Sequence, residues 1–288
     1  MEELHRPVLM SEVLAWLKPS QGESYLDLTA GYGGHAGEIL GVTRDYKSAV
    51  LVDRDEYAVF HLRKKFPEVE IVNADFYSTA LQFLECERTF DMILMDLGVS
   101  SPQLDQAKRG FSFSHDGPLD MRMDRRQKLT ADFIVNRYSE RELTEIFVRY
   151  GEESPGLARK HARIIAQRRP WQTTGELAAA LSAPSHTRIH PATKVFQALR
   201  IAVNDELSLL EKTLPLLPKL LRPGGRMGVI TFHSLEDRLV KQFLRSASSY
   251  GEESELRILT KKPVVAEKHE LVINPRARSA KLRVAQKV

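Results

Sequence analysis

The first hundred residues alternate short apolar runs with amphipathic stretches. Residues 24–30, 48–53, 69–75 and 90–97 are apolar runs of strand length. Between them, residues 56–66 carry Val59, Phe60, Leu62 and Phe66 in a helical pattern, and residues 78–84 predict a second helix. Strands alternating with helices predict a parallel sheet covered on both faces. The alternation stops near Asp105. From there to about Glu206 the pattern is a loop and then several helices. Ser139-Glu140-Arg141-Glu142 and Thr173-Thr174-Gly175-Glu176 have capping-box spacing and open two of them, with Gly151 closing the first. Residues 155–169 predict a strongly basic helix, and residues 191–221 one long helix or two. After Arg222-Pro223-Gly224-Gly225 the strand pattern returns over 226–232. A helix over 234–245 and closing strands over 255–260 and 280–285 follow. Residues 226–288 hold too few strands for a fold of their own. The expected architecture is one α/β domain, residues 1–104 and 207–288, interrupted by a helical insertion over 105–206.

Chemistry first appears after the opening strand, in Asp27-Leu28-Thr29-Ala30-Gly31-Tyr32-Gly33-Gly34-His35-Ala36-Gly37. Gly31, Gly33 and Ala36 satisfy the spacing G-x-G-x-x-G/A, in which glycine permits a tight turn and the approach of a ligand. Asp53 ends the second strand about 20 residues on, where an acid accepts hydrogen bonds from a ribose. Together they point to a nucleoside-containing cofactor. A dinucleotide would set its pyrophosphate on the helix N-terminus. S-adenosylmethionine has no phosphate and would set its amino-acid end beside the glycines. Nothing marks a second group for hydride chemistry, or the substrate domain that an NAD-dependent oxidoreductase would add. Asp96 ends the fourth strand, and Leu97-Gly98-Val99-Ser100-Ser101-Pro102-Gln103 follows it. An acid with a proline shortly after it suits a grip on an exocyclic amino group.

Charge adds a partner to this picture. The 288 residues sum to +4, but residues 1–104 are net −8, residues 105–206 net +4 and residues 207–288 net +8. Residues 154–175 hold Arg159, Lys160, Arg163, Arg168 and Arg169 with no acid, and residues 261–288 are net +6. An acidic beginning and a basic remainder favour a polyanionic partner. The single cysteine, Cys86, excludes an intrachain disulfide and a cysteine zinc cluster. His186 and His190 have the i, i+4 spacing of a zinc pair, but a third ligand is missing and Pro184 and Pro191 flank them, so no metal is expected. The opening Met1-Glu2-Glu3-Leu4-His5-Arg6-Pro7 lacks the basic and apolar regions of a signal peptide, and no apolar window has membrane-spanning length. A cytoplasmic protein without a membrane segment is expected.

Longer blocks carry a resemblance. They are His5-Arg6-Pro7-Val8-Leu9, Thr29 to His35, Asp96 to Asp105, and Arg109-Gly110-Phe111-Ser112-Phe113. Asp116-Gly117-Pro118-Leu119-Asp120-Met121-Arg122-Met123-Asp124, His190-Pro191-Ala192-Thr193 and Phe196-Gln197-Ala198-Leu199-Arg200-Ile201 continue the series. Thr231 to Arg238 and Asn274-Pro275-Arg276-Ala277-Arg278-Ser279 complete it. In these blocks the chain resembles the bacterial 16S ribosomal RNA cytosine-N4 methyltransferases of the H type. The resemblance implies S-adenosylmethionine as donor, a class I methyltransferase sheet (Rossmann-like) with a helical insertion for substrate recognition, and a cytosine of the decoding region as acceptor. The partner would be 16S rRNA within the small ribosomal subunit. The family's cofactor contacts fall on Gly33, Gly34, His35, Asp53, Phe76, Asp96 and Gln103. Two departures stand out: Ala36 where serine is usual, and a short, dissimilar stretch over 246–268.

Cytosine N4 is a poor nucleophile because its lone pair is delocalised into the ring. An acceptor on an N4 hydrogen favours a pyramidal nitrogen. Asp96 is the expected acceptor, assisted by Ser100 and Ser101; the bland alternative is that Asp96 only binds cofactor. Phe76 lies beside the adenine or is a plain core aromatic. His35 takes part in chemistry or only makes a cap or backbone contact. His233-Ser234 faces the site, or Ser234 caps a helix. Arg109, Arg122, Lys194, Arg200, Arg238, Arg276 and Arg278 are the expected RNA contacts, although residues 120–124 also read as an internally paired loop. A noncatalytic rRNA-binding assembly factor that has kept the fold is the remaining competing reading.

Overall fold

A computed structural model describes residues 7–182, 190–248 and 254–288. His5, Arg6 and His186 lie outside the described residues. The chain divides into two compact units, Met1–Gly98 with Leu207–Val288, and Val99–Glu206.

The first unit is built on one sheet. Its strands are β1 (Tyr25–Asp27), β2 (Val50–Val52), β3 (Glu70–Val72), β4 (Phe90–Asp96), β5 (Leu221–Thr231), β6 (Leu256–Ile258), β7 (Val264–Val265) and β8 (Lys281–Lys287). Their order is β3-β2-β1-β4-β5-β8-β6, with β7 also paired to β8. Strands β3 to β5 run parallel and β8 is antiparallel to β5, so the sheet is mixed, as an α/β chain with a closing hairpin-like edge requires. Alternate residues serve the two faces. Leu26, Val50, Val52, Ile93, Met95, Met227 and Val229 pack on one side with Phe83, Leu217 and Leu244. Tyr25, Leu51, Met92, Leu94, Ile230 and Leu282 pack on the other with Val13, Ile39 and Leu62. This two-sided burial is why the strands read as continuous apolar runs.

The helices of this unit are α1 (Met10–Leu17), α2 (Gly34–Thr43), α3 (Glu56–Lys65) and α4 (Phe76–Glu85) in the first half of the sheet. α4 begins two residues before its expected start. Asp75 is its N-cap: the carboxylate accepts the Tyr77 and Ser78 N–H groups, both at 2.9 Å, so the strand stops early and Phe76 becomes helical.

The second unit is helical: α5 (Ser101–Asp105), α6 (Ala131–Arg137), α7 (Glu140–Gly151), α8 (Pro155–Gln167), α9 (Thr174–Leu181) and α10 (Ala192–Asn204). Both capping boxes form, at Ser139 with Glu142 and at Thr173 with Glu176. The core joins Leu143, Phe147, Ala158, Ala162, Ile165 and Leu199. Gly151 lets α7 meet α10: a Cβ there would lie 2.9 Å from the Lys194 carbonyl oxygen. The unit begins at Val99, not at 105, because Val99 and Leu104 pack on this core and Ser100 to Gln103 open a capped helix. The stretch 191–221 breaks into α10, α11 (Glu206–Thr213) and a 3-10 helix over Leu214–Leu220, with Asp205 in the left-handed region at φ 50°. After β5 come α12 (Ser234–Ala247) and α13 (Lys268–Ile273), and a 3-10 turn over Pro275–Ser279 leads into β8.

Candidate active site

The order of the parallel strands reverses between β1 and β4. In open α/β sheets, ligands bind outside the carboxyl ends of the strands at such a point. Asp27, Asp53, Asp96 and the turn before α12 all lie at this edge of the first unit.

The glycine loop is shaped by packing as well as by openness. Gly31 takes φ 53°, and a Cβ there would meet open space; its N–H donates to Asp53 Oδ2 at 2.8 Å. Gly33 takes φ 69°, and a Cβ would strike Phe66 Cε2 at 2.4 Å. At Gly34 it would press on Pro7 at 3.1 Å. Glycine at 33 and 34 therefore lets α2 pack on its neighbours, a reason that spacing alone did not supply. Asp53 also accepts the Asp55 N–H at 2.8 Å through Oδ1. Each carboxylate oxygen has a second lone pair beyond these contacts. Burial pushes the Asp53 carboxyl up to about 6.

Asp96 is the centre of the arrangement. Its N–H donates to Thr29 Oγ1 at 2.6 Å, which ties the end of β4 to the loop after β1. Oδ1 is buried and has no hydrogen-bond partner among the described residues. Oδ2 lies 3.6 Å from His35 Nδ1. His35 is 5 % exposed, and its Nε2 lies 2.8 Å from the Val8 carbonyl oxygen. A carbonyl only accepts, so this contact assigns a proton to Nε2 and turns Nδ1 toward Asp96. His35 thus makes the backbone contact and places Nδ1 beside the carboxylate, beyond hydrogen-bond distance. Burial, reinforced by the charges of Asp27 and Glu236, holds the Asp96 carboxyl well above the usual carboxylate range. Asp27, 2 % exposed, accepts from Tyr25 Oη at 2.7 Å and from the Thr29 N–H at 3.2 Å; burial pushes it up to about 7.

Glu236 is a site neighbour that sequence reasoning missed. It is 2 % exposed, accepts the Phe232 N–H at 2.8 Å, and completes a capping box in which His233, not Ser234, is the N-cap. His233 Nε2 lies 3.1 Å from Glu236 Oε1 without hydrogen-bond alignment. The spacing His-x-x-Glu was the available signal, disguised by a histidine in a role usually filled by serine or threonine. Phe232 in turn packs on Gly98: a Cβ on Gly98 would lie 3.3 Å from its ring. Phe76 is 9 % exposed at the first turn of α4 and belongs to the core around Leu28, Val52 and Leu97.

Ser100, Ser101 and Gln103 belong to the second unit. There Gln103 Oε1 accepts the Ser100 N–H at 3.0 Å, while Ser101 and Gln103 are buried in the first turn of α5.

The expected RNA contacts divide sharply. Arg109 is 5 % exposed and donates through Nη2 to the carbonyls of Arg122 and Met123 at 3.0 and 3.3 Å. Arg122 forks onto Asp120 at 2.7 and 2.9 Å and donates to the carbonyls of Arg125 and Gln127, so residues 120–124 are the internally paired loop. Arg200 forks onto Glu206 at 2.9 and 2.8 Å. Arg169 is likewise spent on the carbonyls of Val135 and Tyr138. These arginines staple their own unit instead of presenting a guanidinium to solvent. Lys194 is exposed, and its Nζ donates to the Glu152 carbonyl at 3.0 Å. Arg238, Arg276 and Arg278 are exposed, as are Arg159, Lys160 and Arg163 on α8 and Arg168 at its C-cap; Arg163 also pairs with Glu140 at 3.6 Å. His190 uses both ring nitrogens, toward Ser182 Oγ and the Ala192 N–H, and no metal-binding group occurs among the described residues. No helix among them is long and apolar enough to cross a membrane.

Buried carboxyl groups gathered at one sheet edge, one with an unpartnered oxygen, suit a cationic ligand with hydroxyls to hold. Comparison with known proteins agrees. A family model described as the MraW methylase family matches residues 2–288. A ribosomal RNA small subunit methyltransferase H from a Cyanothece species is 50 % identical over 297 residues, covering 100 % of this chain and 96 % of that protein. The protein of the same name from Trichormus variabilis is 48 % identical over 292 residues, covering 98 % and 92 %. Full-length matching of this kind leaves no part of the chain outside the comparison: the chain belongs to the MraW methylase family.

Proposed function

We propose that this chain transfers a methyl group from S-adenosylmethionine to the exocyclic N4 of a cytosine in the decoding region of 16S rRNA. The observation that carries this reading is Asp96, half-buried at the carboxyl end of β4, with its buried Oδ1 unpartnered among the described residues and Oδ2 3.6 Å from His35 Nδ1. The cofactor supplies a methyl group on a cationic sulfonium, which leaves as a neutral thioether. The chain's own task is positioning and proton handling. Oδ1 accepts an N4 hydrogen, which favours a pyramidal nitrogen and directs its lone pair outward. As N4 gains the methyl group it gives up that proton to Asp96, whose raised affinity for protons suits it as the base. Asp53 holds the ribose, and Phe76 and the turn from Gly31 to Gly34 frame the rest of the cofactor.

The second unit recognises the RNA around the target base. Its support is the set of exposed cations on α8; the first unit separately exposes Arg238, Arg276 and Arg278. The acceptor atom must leave any base stack, so the substrate is an unpaired or flipped cytosine in the rRNA of the small ribosomal subunit, met in the cytoplasm. Family membership sets the methylase reading above an NAD-dependent oxidoreductase, and the intact Asp53 and Asp96 set it above a noncatalytic assembly factor. Mass spectrometry of 16S rRNA from cells with and without the protein identifies the base and the atom. Asp96→Ala is expected to abolish transfer; near-wild-type turnover at saturating cofactor refutes both roles given to Asp96. Deleting residues 110–200 is expected to spare cofactor binding and remove RNA methylation.

A further inference from the structure

Helix α3 buries one face through Ala58, Val59 and Leu62. A second face carries Tyr57, Phe60, His61 and Lys64, at i, i+3, i+4 and i+7. Phe60 is 64 % exposed and Tyr57 43 %, and Lys64 is exposed beside Arg63. The rings meet edge to face: Tyr57 to His61 with centroids 4.5 Å apart, and Phe60 to His61 at 5.6 Å. His61 Nδ1 is 2.7 Å from the Tyr57 carbonyl oxygen, which fixes the imidazole plane. Tyr32, in the glycine loop, continues the row at 5.3 Å from His61 and 6.2 Å from Tyr57. An ordered aromatic row therefore runs from the cofactor loop outward to a lysine.

A helix face needing only solubility would carry charges here, so three rings held together in solvent call for a partner. The face also says which kind. None of its four side chains is aliphatic, as those of a protein-docking face would be, and the one charged group among them, Lys64, is positive, with exposed Glu56 and Arg63 on its flank. Flat π surfaces beside an ammonium group match a nucleotide, whose base stacks while its phosphate meets the cation. We propose that Tyr57, Phe60, His61 and Lys64 form a stacking platform for an unpaired base of the RNA substrate, separate from the pocket for the target cytosine. This rests on the RNA-methyltransferase reading above.

The test replaces Phe60, whose exposure makes it tolerant of change, by alanine, leucine and tryptophan. Binding of a short, fluorescein-labelled unpaired RNA of mixed sequence is followed by anisotropy, alongside methyl transfer to an rRNA fragment. Loss of one stack is expected to weaken RNA binding roughly 5-fold or more in both Phe60→Ala and Phe60→Leu, while Phe60→Trp retains it. kcat at saturating RNA, affinity for S-adenosylhomocysteine and Tm are expected to stay at wild-type values. Lys64→Gln should lower the slope of log K against log salt by about one. Wild-type RNA binding by Phe60→Leu would overturn the proposal, since an apolar contact would then suffice. A fall in S-adenosylhomocysteine affinity would overturn it in favour of a cofactor cover, and a changed sedimentation coefficient in favour of self-association. If the wild type binds the RNA but methylates no rRNA, the functional reading fails while the Phe60 series still decides the platform. If it binds no RNA, both fail.

Discussion

Asp27 offers a test of the site's electrostatics that needs no substrate. It is 2 % exposed, and burial pushes its carboxyl from 3.8 up to about 7. The native chain therefore keeps a proton that the unfolded chain releases, across the window from about pH 4 to about pH 7. Because the native state binds more protons there, Asp27 costs stability as pH rises through this window, and the cost is complete above about pH 7. About three pKa units at 1.36 kcal/mol each set a ceiling of roughly 4 kcal/mol. Asp27→Asn keeps the shape and the acceptor for the Thr29 N–H but never ionises. Relative to wild type, the variant should gain Tm progressively from pH 4.5 to pH 7 and hold the gain above. At about 2–4 °C per kcal/mol, the ceiling is on the order of 10 °C. Thermal unfolding of both proteins from pH 4.5 to 8.5 measures this directly. The same buried charge should help to hold a cation, so the Tm increase produced by S-adenosylmethionine at pH 8 should be smaller in the variant. A stability gap that does not widen between pH 5 and pH 7 would refute the reasoning, because only a native-state proton on Asp27 makes the gap depend on pH.

Glu236→Gln removes a negative charge that raises the Asp96 carboxyl, so the acid limb of the kcat/KM profile should move to lower pH; an unmoved limb would separate Glu236 from Asp96. Gly33→Ala must place a Cβ 2.4 Å from Phe66 at φ 69°, and should lower stability by about 1–3 kcal/mol in denaturant titration. Arg122→Ala should lower the stability of the helical unit and leave the salt slope of RNA binding unchanged. Arg278→Ala should reduce that slope by about one with Tm preserved, as measured by binding across a salt series.

The sheet was legible because the inner strands β1, β2 and β4 are buried on both faces, and the acids that end β2 and β4 stand where strand-to-loop transitions place them. What sequence reading missed was contact between distant segments. Nothing local says that His35 turns Nδ1 to Asp96, or that Glu236 lies near enough to repel its charge. Both relations arise only when parallel strands bring their carboxyl ends to one edge. Element starts were missed for a smaller reason: a side chain such as Asp75, read as the end of a strand, was the cap of the next helix.

The arginines show why charge counts mislead in the helical unit. Residues 106–130 run largely without regular secondary structure, and Met121 sits at φ 60°, so the backbone polar groups of this stretch lack a ladder to join. Buried groups of that kind must find partners elsewhere. Arg109 supplies donors to two of its carbonyls, Arg122 to two more, and Asn204 bonds both the Met123 N–H and the Met121 carbonyl. Charge-assisted donors with several N–H groups are well suited to such a loop. The density of conspicuous arginines there reflects how much irregular backbone must be held. On α8, by contrast, the helix itself satisfies the neighbouring backbone, and Arg159, Lys160 and Arg163 reach outward from it.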